Sequence, residues 1–200
     1  MIILHEHRLC FLEKPKCGSR SLVRAITRPL HKRWKKEDIF VSNKNLHNLN
    51  FDYHHPNYLH VNLHGAITYI QEVKKQNIQE YTFICLLRNP IDLFISLYCY
   101  DMNRQNNRYH KFSCVEDMRN TIHYKMFTDN IFLHMRDFVN IKFFSLHNTD
   151  SLIDYLFMKH RIPIRFPTIN VNQNKKELDI SDLKDQILQD FPIYNTLYGQ

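Results

Sequence analysis

Apolar positions along this chain fall into short continuous runs and longer periodic ones, and the two kinds alternate. Residues 81–87 (Tyr-Thr-Phe-Ile-Cys-Leu-Leu) are a continuous apolar run, the pattern of a strand buried on both faces of a parallel sheet, and Arg88-Asn89-Pro90 ends it. Residues 8–13 (Arg-Leu-Cys-Phe-Leu-Glu) read as a shorter buried strand punctuated by Pro15 and Gly18, with further strands predicted at 58–61 and 141–145. Helical spacing predicts a helix over 19–28 closed by Pro29, and an amphipathic one over 65–76 with Ala66, Ile67, Ile70 and Val73 on one face. Pro90 suits the first turn of a helix that Ile91, Leu93, Phe94, Ile95, Leu97 and Tyr98 would bury on most of its circumference. Helices are also expected over 114–138, over 149–160 with Thr149 or Asp150 as cap and Leu152, Ile153, Leu156 and Phe157 inward, and over 181–191 capped by Ser181. Residues 163–176, with Pro163, Pro167 and three asparagines, read as a loop. Strands alternating with helices, without repeat or linker, predict one α/β domain over 1–200 with a central, mainly parallel sheet flanked by helices.

Composition narrows the chemistry. The 200 residues are 44% apolar or aromatic and 24% charged, enough for a real core. Just three glycines occur, Gly18, Gly65 and Gly199, which excludes the dinucleotide fingerprint, the P-loop motif and the glycine-rich kinase loop. The net charge of +7 suits anionic partners. His31, Lys32, Arg33, Lys35 and Lys36 surround Trp34 in a basic run between Leu30 and Glu37 that reads first as a solvated face. Five cysteines without a C-x-x-C pair read as reduced thiols in a reducing compartment. With no signal-peptide pattern and no run of about 18 apolar residues, a soluble, intracellular protein is expected.

In an open parallel sheet, ligands bind beyond the carboxyl ends of the strands, which directs attention to the loops after Glu13 and Leu87. The first, Lys14-Pro15-Lys16-Cys17-Gly18-Ser19-Arg20-Ser21-Leu22, gathers cations, hydroxyls and the free amides of a helix start, with Gly18 permitting close approach to an anion. The second, Leu87-Arg88-Asn89-Pro90-Ile91-Asp92-Leu93-Phe94-Ile95-Ser96, pairs an arginine fork with a serine hydroxyl almost two turns into the next helix.

Pro-Lys-Cys-Gly-Ser-Arg-Ser-Leu after one strand and Leu-Arg-Asn-Pro-x-Asp-x-x-x-Ser after another resemble the two cofactor signatures of PAPS-dependent sulfotransferases. Phe143-Phe144-Ser145-Leu146 before a helix, and Asn170-Val171-Asn172 leading to Ser181-Asp182-Leu183, stand in the order of the carbohydrate-type branch. The resemblance implies that family's P-loop-kinase-like α/β fold, PAPS as donor, and transfer of a sulfuryl group to a hydroxyl or amine, carbohydrate in character, with PAP as second product. It places Lys16 at the bridging oxygen of the phosphosulfate. Cys17, Gly18, Ser19, Arg20 and Ser21 would surround the 5′-phosphate, and Arg88 and Ser96 the 3′-phosphate. Arg20 departs from the pattern, standing where many members have threonine, so the hydroxyl contacts pass to Ser19 and Ser21.

Transfer also requires a group to take the acceptor's proton, and histidine suits neutral pH. His60, in Leu59-His60-Val61-Asn62-Leu63-His64, lies where similar carbohydrate sulfotransferases place their catalytic histidine, with His64 as the second candidate. His54, His55, His60 and His64 contain neither a His-Glu-x-x-His pattern nor a nearby cysteine pair, so no metal is expected. The segment 170–176 is either a cover over the cofactor or an ordinary connection. Two other functions fit the same residues: a nucleotide-dependent kinase with a non-standard phosphate loop, and a non-catalytic polyanion-binding module using the run at 30–37. A nucleic-acid platform of interleaved basic and aromatic residues is not seen.

Overall fold

A computed structural model describes residues 1–14, 16–30, 39–41, 63, 65–102, 114–120, 124, 139–166 and 178–198. The strands are β1 (Ile2–Leu4), β2 (Leu9–Leu12), β3 (Ile39–Val41), β4 (Thr82–Leu87) and β5 (Asn140–Ser145). The α-helices are α1 (Ser19–Leu30), α2 (Pro90–Met102), α3 (Asp117–Asn120), α4 (Asp150–His160), α5 (Lys184–Gln189) and α6 (Pro192–Tyr198).

The strands form one sheet in the order β3-β1-β2-β4-β5. β2 and β4 pair in parallel, Leu9 opposite Thr82 through Leu12 opposite Cys85, and β4 pairs in parallel with β5, Thr82 opposite Asn140 through Leu87 opposite Ser145. β1 is antiparallel to both β2 and β3. The sheet is therefore mixed, not mainly parallel. The departure comes from the hairpin of β1 and β2, whose turn is closed by the Arg8 amide donating to the His5 carbonyl at 3.2 Å, and from β3 on its outer side.

Side-chain alternation explains why the central strands read as unbroken apolar runs. Ile2, Leu4, Leu9, Phe11, Ile84 and Leu86 face a core completed by Leu22 and Ile26 of α1, Leu93, Phe94 and Leu97 of α2, and Leu152 and Leu156 of α4. Ile3, Cys10, Leu12, Phe83, Cys85 and Leu87 face the other, with Leu63, Ala66, Ile70, Ile78 and Ile193. Both faces are covered, so neither could carry polar residues without unpaired burial.

Several expected boundaries move. α1 continues through Pro29 to Leu30. The amphipathic helix at 65–76 is α-helical at 65–68 and then widens into a π turn, Tyr69–Val73, which leaves Val73 49% exposed while Ile70 stays buried. Thr149 stands at the amino end of α4 but makes no side-chain cap bond. Ser181 opens a 3-10 turn whose amide is satisfied by Asp179 Oδ1 at 3.1 Å, so the capping oxygen belongs to Asp179. Of the predicted strand at 58–61 and helix at 114–138, the first and most of the second lie outside the described residues.

Near α5, Asp190 Oδ2 accepts from Arg119 Nε at 3.1 Å and from the Tyr124 hydroxyl at 2.9 Å, tying Arg119 and Tyr124 to the carboxyl-terminal helices. Burial and then this bond push the Tyr124 hydroxyl up, and burial pushes the Cys10 thiol up to about 12. The unfolded chain sheds these protons at lower pH than the folded one. Stability is therefore intact below the thiol's ordinary value of 9.0 and declines as pH rises through it. Cys10 alone should remove about 1 kcal/mol between pH 8 and 10. Urea midpoints at the two pH values check this: wild type should fall by more than Cys10→Ala, and equal falls would show that the thiol titrates normally.

Candidate functional site

Three loops meet beyond the carboxyl ends of β2, β4 and β5, the three strands that run parallel. After β2, the Cys17 amide donates to the Lys14 carbonyl at 3.2 Å, and Lys16 and Gly18 both adopt left-handed backbone, φ 60° and 74°. The Gly18 carbonyl then accepts from the Leu22 amide at 2.9 Å, the first bond of α1. Amides in that first turn have no partner within the helix and sit at its positive end, which makes them anion donors. Ser21 is half-buried there. Cys17 is buried in the core, so any ligand meets its backbone and not its thiol. Of Ser19 and Arg20 the backbone alone is described.

The two lysines of this loop have separate environments. Lys14 is 2% exposed, its Nζ 5.2 Å from the centre of the Phe191 ring. Lys16 is half-buried, and its Nζ lies 4.1 Å from the centre of the Tyr100 ring on α2. A contact of this kind holds a cation by about 0.5–2 kcal/mol, little enough for an anionic ligand to draw it away.

After β4, Arg88 turns back to the first loop, donating from Nη1 to the Lys16 carbonyl at 3.1 Å. Its Nε is buried without a hydrogen-bond partner among the described residues. Asn89 opens α2: its Oδ1 accepts from the amides of Ile91 at 3.0 Å and Asp92 at 3.4 Å, and Pro90 has no amide to satisfy. Along α2, Asp92, Ser96 and Tyr100 recur every four residues and share one side of the helix. Ser96 therefore stands between Asp92 and the aromatic ring that holds Lys16.

After β5, the Leu146 amide donates to the Leu87 carbonyl at 2.7 Å, and the His147 amide to Ser145 Oγ at 3.2 Å. His147 Nε2 reaches Asp92 Oδ2 at 3.0 Å. The Leu146 side chain lies against Gly18: a Cβ there would stand 2.5 Å from Leu146 Cδ1. The missing side chain of Gly18 thus makes room for Leu146, and the anion-facing role expected of it falls to its backbone.

The structure brings Lys16, Cys17, Gly18, Ser21, Arg88 and Ser96 to this one region. His60 and His64 lie outside the described residues, as do His54, His55, the basic run at 31–37 and the segment at 170–176. His147 is a residue that sequence reasoning passed over, and Lys14, though part of the first loop, was given no separate role. Applying the carboxyl-end rule to the strand at 141–145 as well would have found His147. Among the described residues no cluster of three or more His, Cys, Asp or Glu could hold a metal ion, and no helix is long and apolar enough to cross a membrane. None of the five cysteines is in a disulfide; Cys10, Cys17 and Cys85 are buried and Cys114 is exposed.

No protein-family model, curated protein or solved structure matches this chain.

Proposed function

We propose that the chain is a PAPS-dependent sulfotransferase, with the P-loop-kinase-like fold of that family, that sulfates a hydroxyl or amine on a carbohydrate-type acceptor. The observation that carries this reading is the bond from Arg88 to the Lys16 carbonyl, because it joins the two loops whose sequences resemble the phosphosulfate and 3′-phosphate signatures. The two signatures follow β2 and β4, which are adjacent parallel strands, and the bond sets their loops side by side where one ligand could span them.

The residues fit the donor. A buried guanidinium nitrogen without a partner is costly unless a ligand or water completes it, and Arg88 Nε is such an atom among the described residues. Together with the Ser96 hydroxyl it supplies the fork and side donor that a 3′-phosphate takes. The first-turn amides of α1 with Ser21 suit the 5′-phosphate. When bound, PAPS supplies the sulfuryl group. Lys16, drawn from the Tyr100 ring, places its ammonium where charge grows on the bridging oxygen. Positioning and electrostatics do most of the work, and the lysine, arginine and amide donors can neutralise the charge without further help.

Calorimetric titration with PAP, set beside ATP plus Mg²⁺, tests the proposal. Saturable PAP binding that exceeds ATP binding is the expected result. Preference for ATP would overturn it in favour of the kinase. Absence of PAP binding, with steeply salt-dependent polyanion binding that survives Lys16→Ala, would overturn it in favour of the binding module.

A further inference from the structure

We infer that His147, oriented by Asp92, is the group that takes the acceptor's proton, an assignment that rests on the sulfotransferase reading above. His147 follows β5 directly, beside the Leu146 side chain that packs on Gly18. Its partner Asp92 belongs to the same side of α2 as Ser96 and as Tyr100, which holds Lys16. The imidazole is thereby tied to the helix that the second signature opens and is next in the chain to Leu146, which packs on the first. It is 52% exposed, so an acceptor can reach it, while Asp92 is 28% exposed and more enclosed.

The contact of Nε2 with Asp92 Oδ2 at 3.0 Å decides the chemistry of the ring. A carboxylate accepts, so Nε2 carries the hydrogen and donates it, and in the neutral ring the basic lone pair is at Nδ1. The same carboxylate stabilises the imidazolium once Nδ1 is protonated, the logic of an aspartate-oriented histidine in hydrolytic triads. The backbone is fixed too, through the His147 amide bound to Ser145 Oγ. In the step itself, the acceptor O–H or N–H proton passes to Nδ1 while the acceptor atom bonds to sulfur. The bond from sulfur to the bridging oxygen breaks, and its electron pair leaves on PAP, where Lys16 meets the charge. Asp92 is a positioning residue in this scheme.

The test measures PAP release from PAPS, with p-nitrophenyl β-D-galactoside as acceptor and with water alone, alongside PAP affinity by calorimetry and imidazole ¹⁵N shifts. His147→Gln should lower turnover about 100- to 1,000-fold, within the usual range for loss of a general base, with PAP affinity within about threefold of wild type. Added imidazole should restore part of the turnover of His147→Ala. Asp92→Asn should lower kcat about tenfold with little change in KM. In the ¹⁵N spectra, wild type should show Nδ1 of His147 unprotonated in the neutral ring, and Asp92→Asn should show a mixture of tautomers. The assignment is overturned if His147→Gln keeps turnover near wild type while His60→Gln or His64→Gln loses it. It is equally overturned if Nδ1 carries the hydrogen in the neutral wild-type ring, or if wild type binds PAP and releases none from PAPS. A wild-type protein that binds no PAP overturns the sulfotransferase reading itself, whereas PAP binding with an unaffected His147→Gln overturns this assignment alone.

Discussion

Replacing Arg88 by alanine should weaken PAP binding about 100-fold and erase the preference for PAP over AMP. A hydrogen bond to a charged group is worth about 1.5–3 kcal/mol, so loss of the guanidinium contacts to one phosphate predicts a factor of roughly 10 to 150. Arg88 sits at the upper end because it has two jobs. Its Nη1 ties down the Lys16 carbonyl, and its Nε is a buried donor that a phosphate would complete. AMP lacks the 3′-phosphate, so in wild type the ratio of the two affinities measures that phosphate alone. In Arg88→Ala the ratio should collapse towards one, while weaker binding of both ligands reports the loosened Lys16 loop. Arg88→Lys should fall between, since it keeps the charge but not the planar fork. Calorimetric titrations of the three proteins with both nucleotides make the measurement. An unchanged PAP to AMP ratio in the alanine variant would remove Arg88 from the 3′-phosphate and with it the second signature.

How far the sequence led depended on how local each signal was. β4 was legible because a strand between two parallel neighbours is apolar on both faces, and its run from Phe83 to Leu87 needs no knowledge of partners. β1 and β3 were not legible: three residues each carry no periodicity, and each is a strand only through distant pairing, Ile2 opposite Val41 and Leu4 opposite Ile39. Missing them turned a mixed sheet into an expected mainly parallel one. Val73 was placed inward because a 3.6-residue period puts it under Ile70, but the π turn adds a residue to that turn and rotates Val73 towards solvent. The two loops of the candidate site stand out in the sequence because their donors lie within a few residues of one another. His147 does not, because its meaning comes from Asp92 on another element, and neither residue announces the other in one dimension.

Gly18→Ala should cost about 2–3 kcal/mol of stability, and its two causes can be separated. At φ 74° an alanine carries a backbone penalty of about 1–2 kcal/mol that glycine avoids. Its Cβ would also stand 2.5 Å from Leu146 Cδ1, closer than such atoms pack, so Leu146 must move. Leu146→Ala alone should destabilise by leaving a cavity. Combined with Gly18→Ala it removes the clash, so the double variant should be more stable than the sum of the singles by about 1 kcal/mol. Gly18→Asn relieves the backbone cost, since asparagine tolerates left-handed φ, but keeps the clash, and should lie between wild type and Gly18→Ala. Urea unfolding of the four variants closes the cycle, and strict additivity would show that Leu146 yields without cost. The same displacement bears on function. The Leu146 amide is bonded to the Leu87 carbonyl, whose next residue is Arg88, and Leu146 itself precedes His147, so an atom added at Gly18 pushes on a residue tied to both other loops. Gly18→Ala should therefore lose PAP affinity as well as stability, and Leu146→Ala in the same chain should return part of the affinity while costing less stability than it does alone.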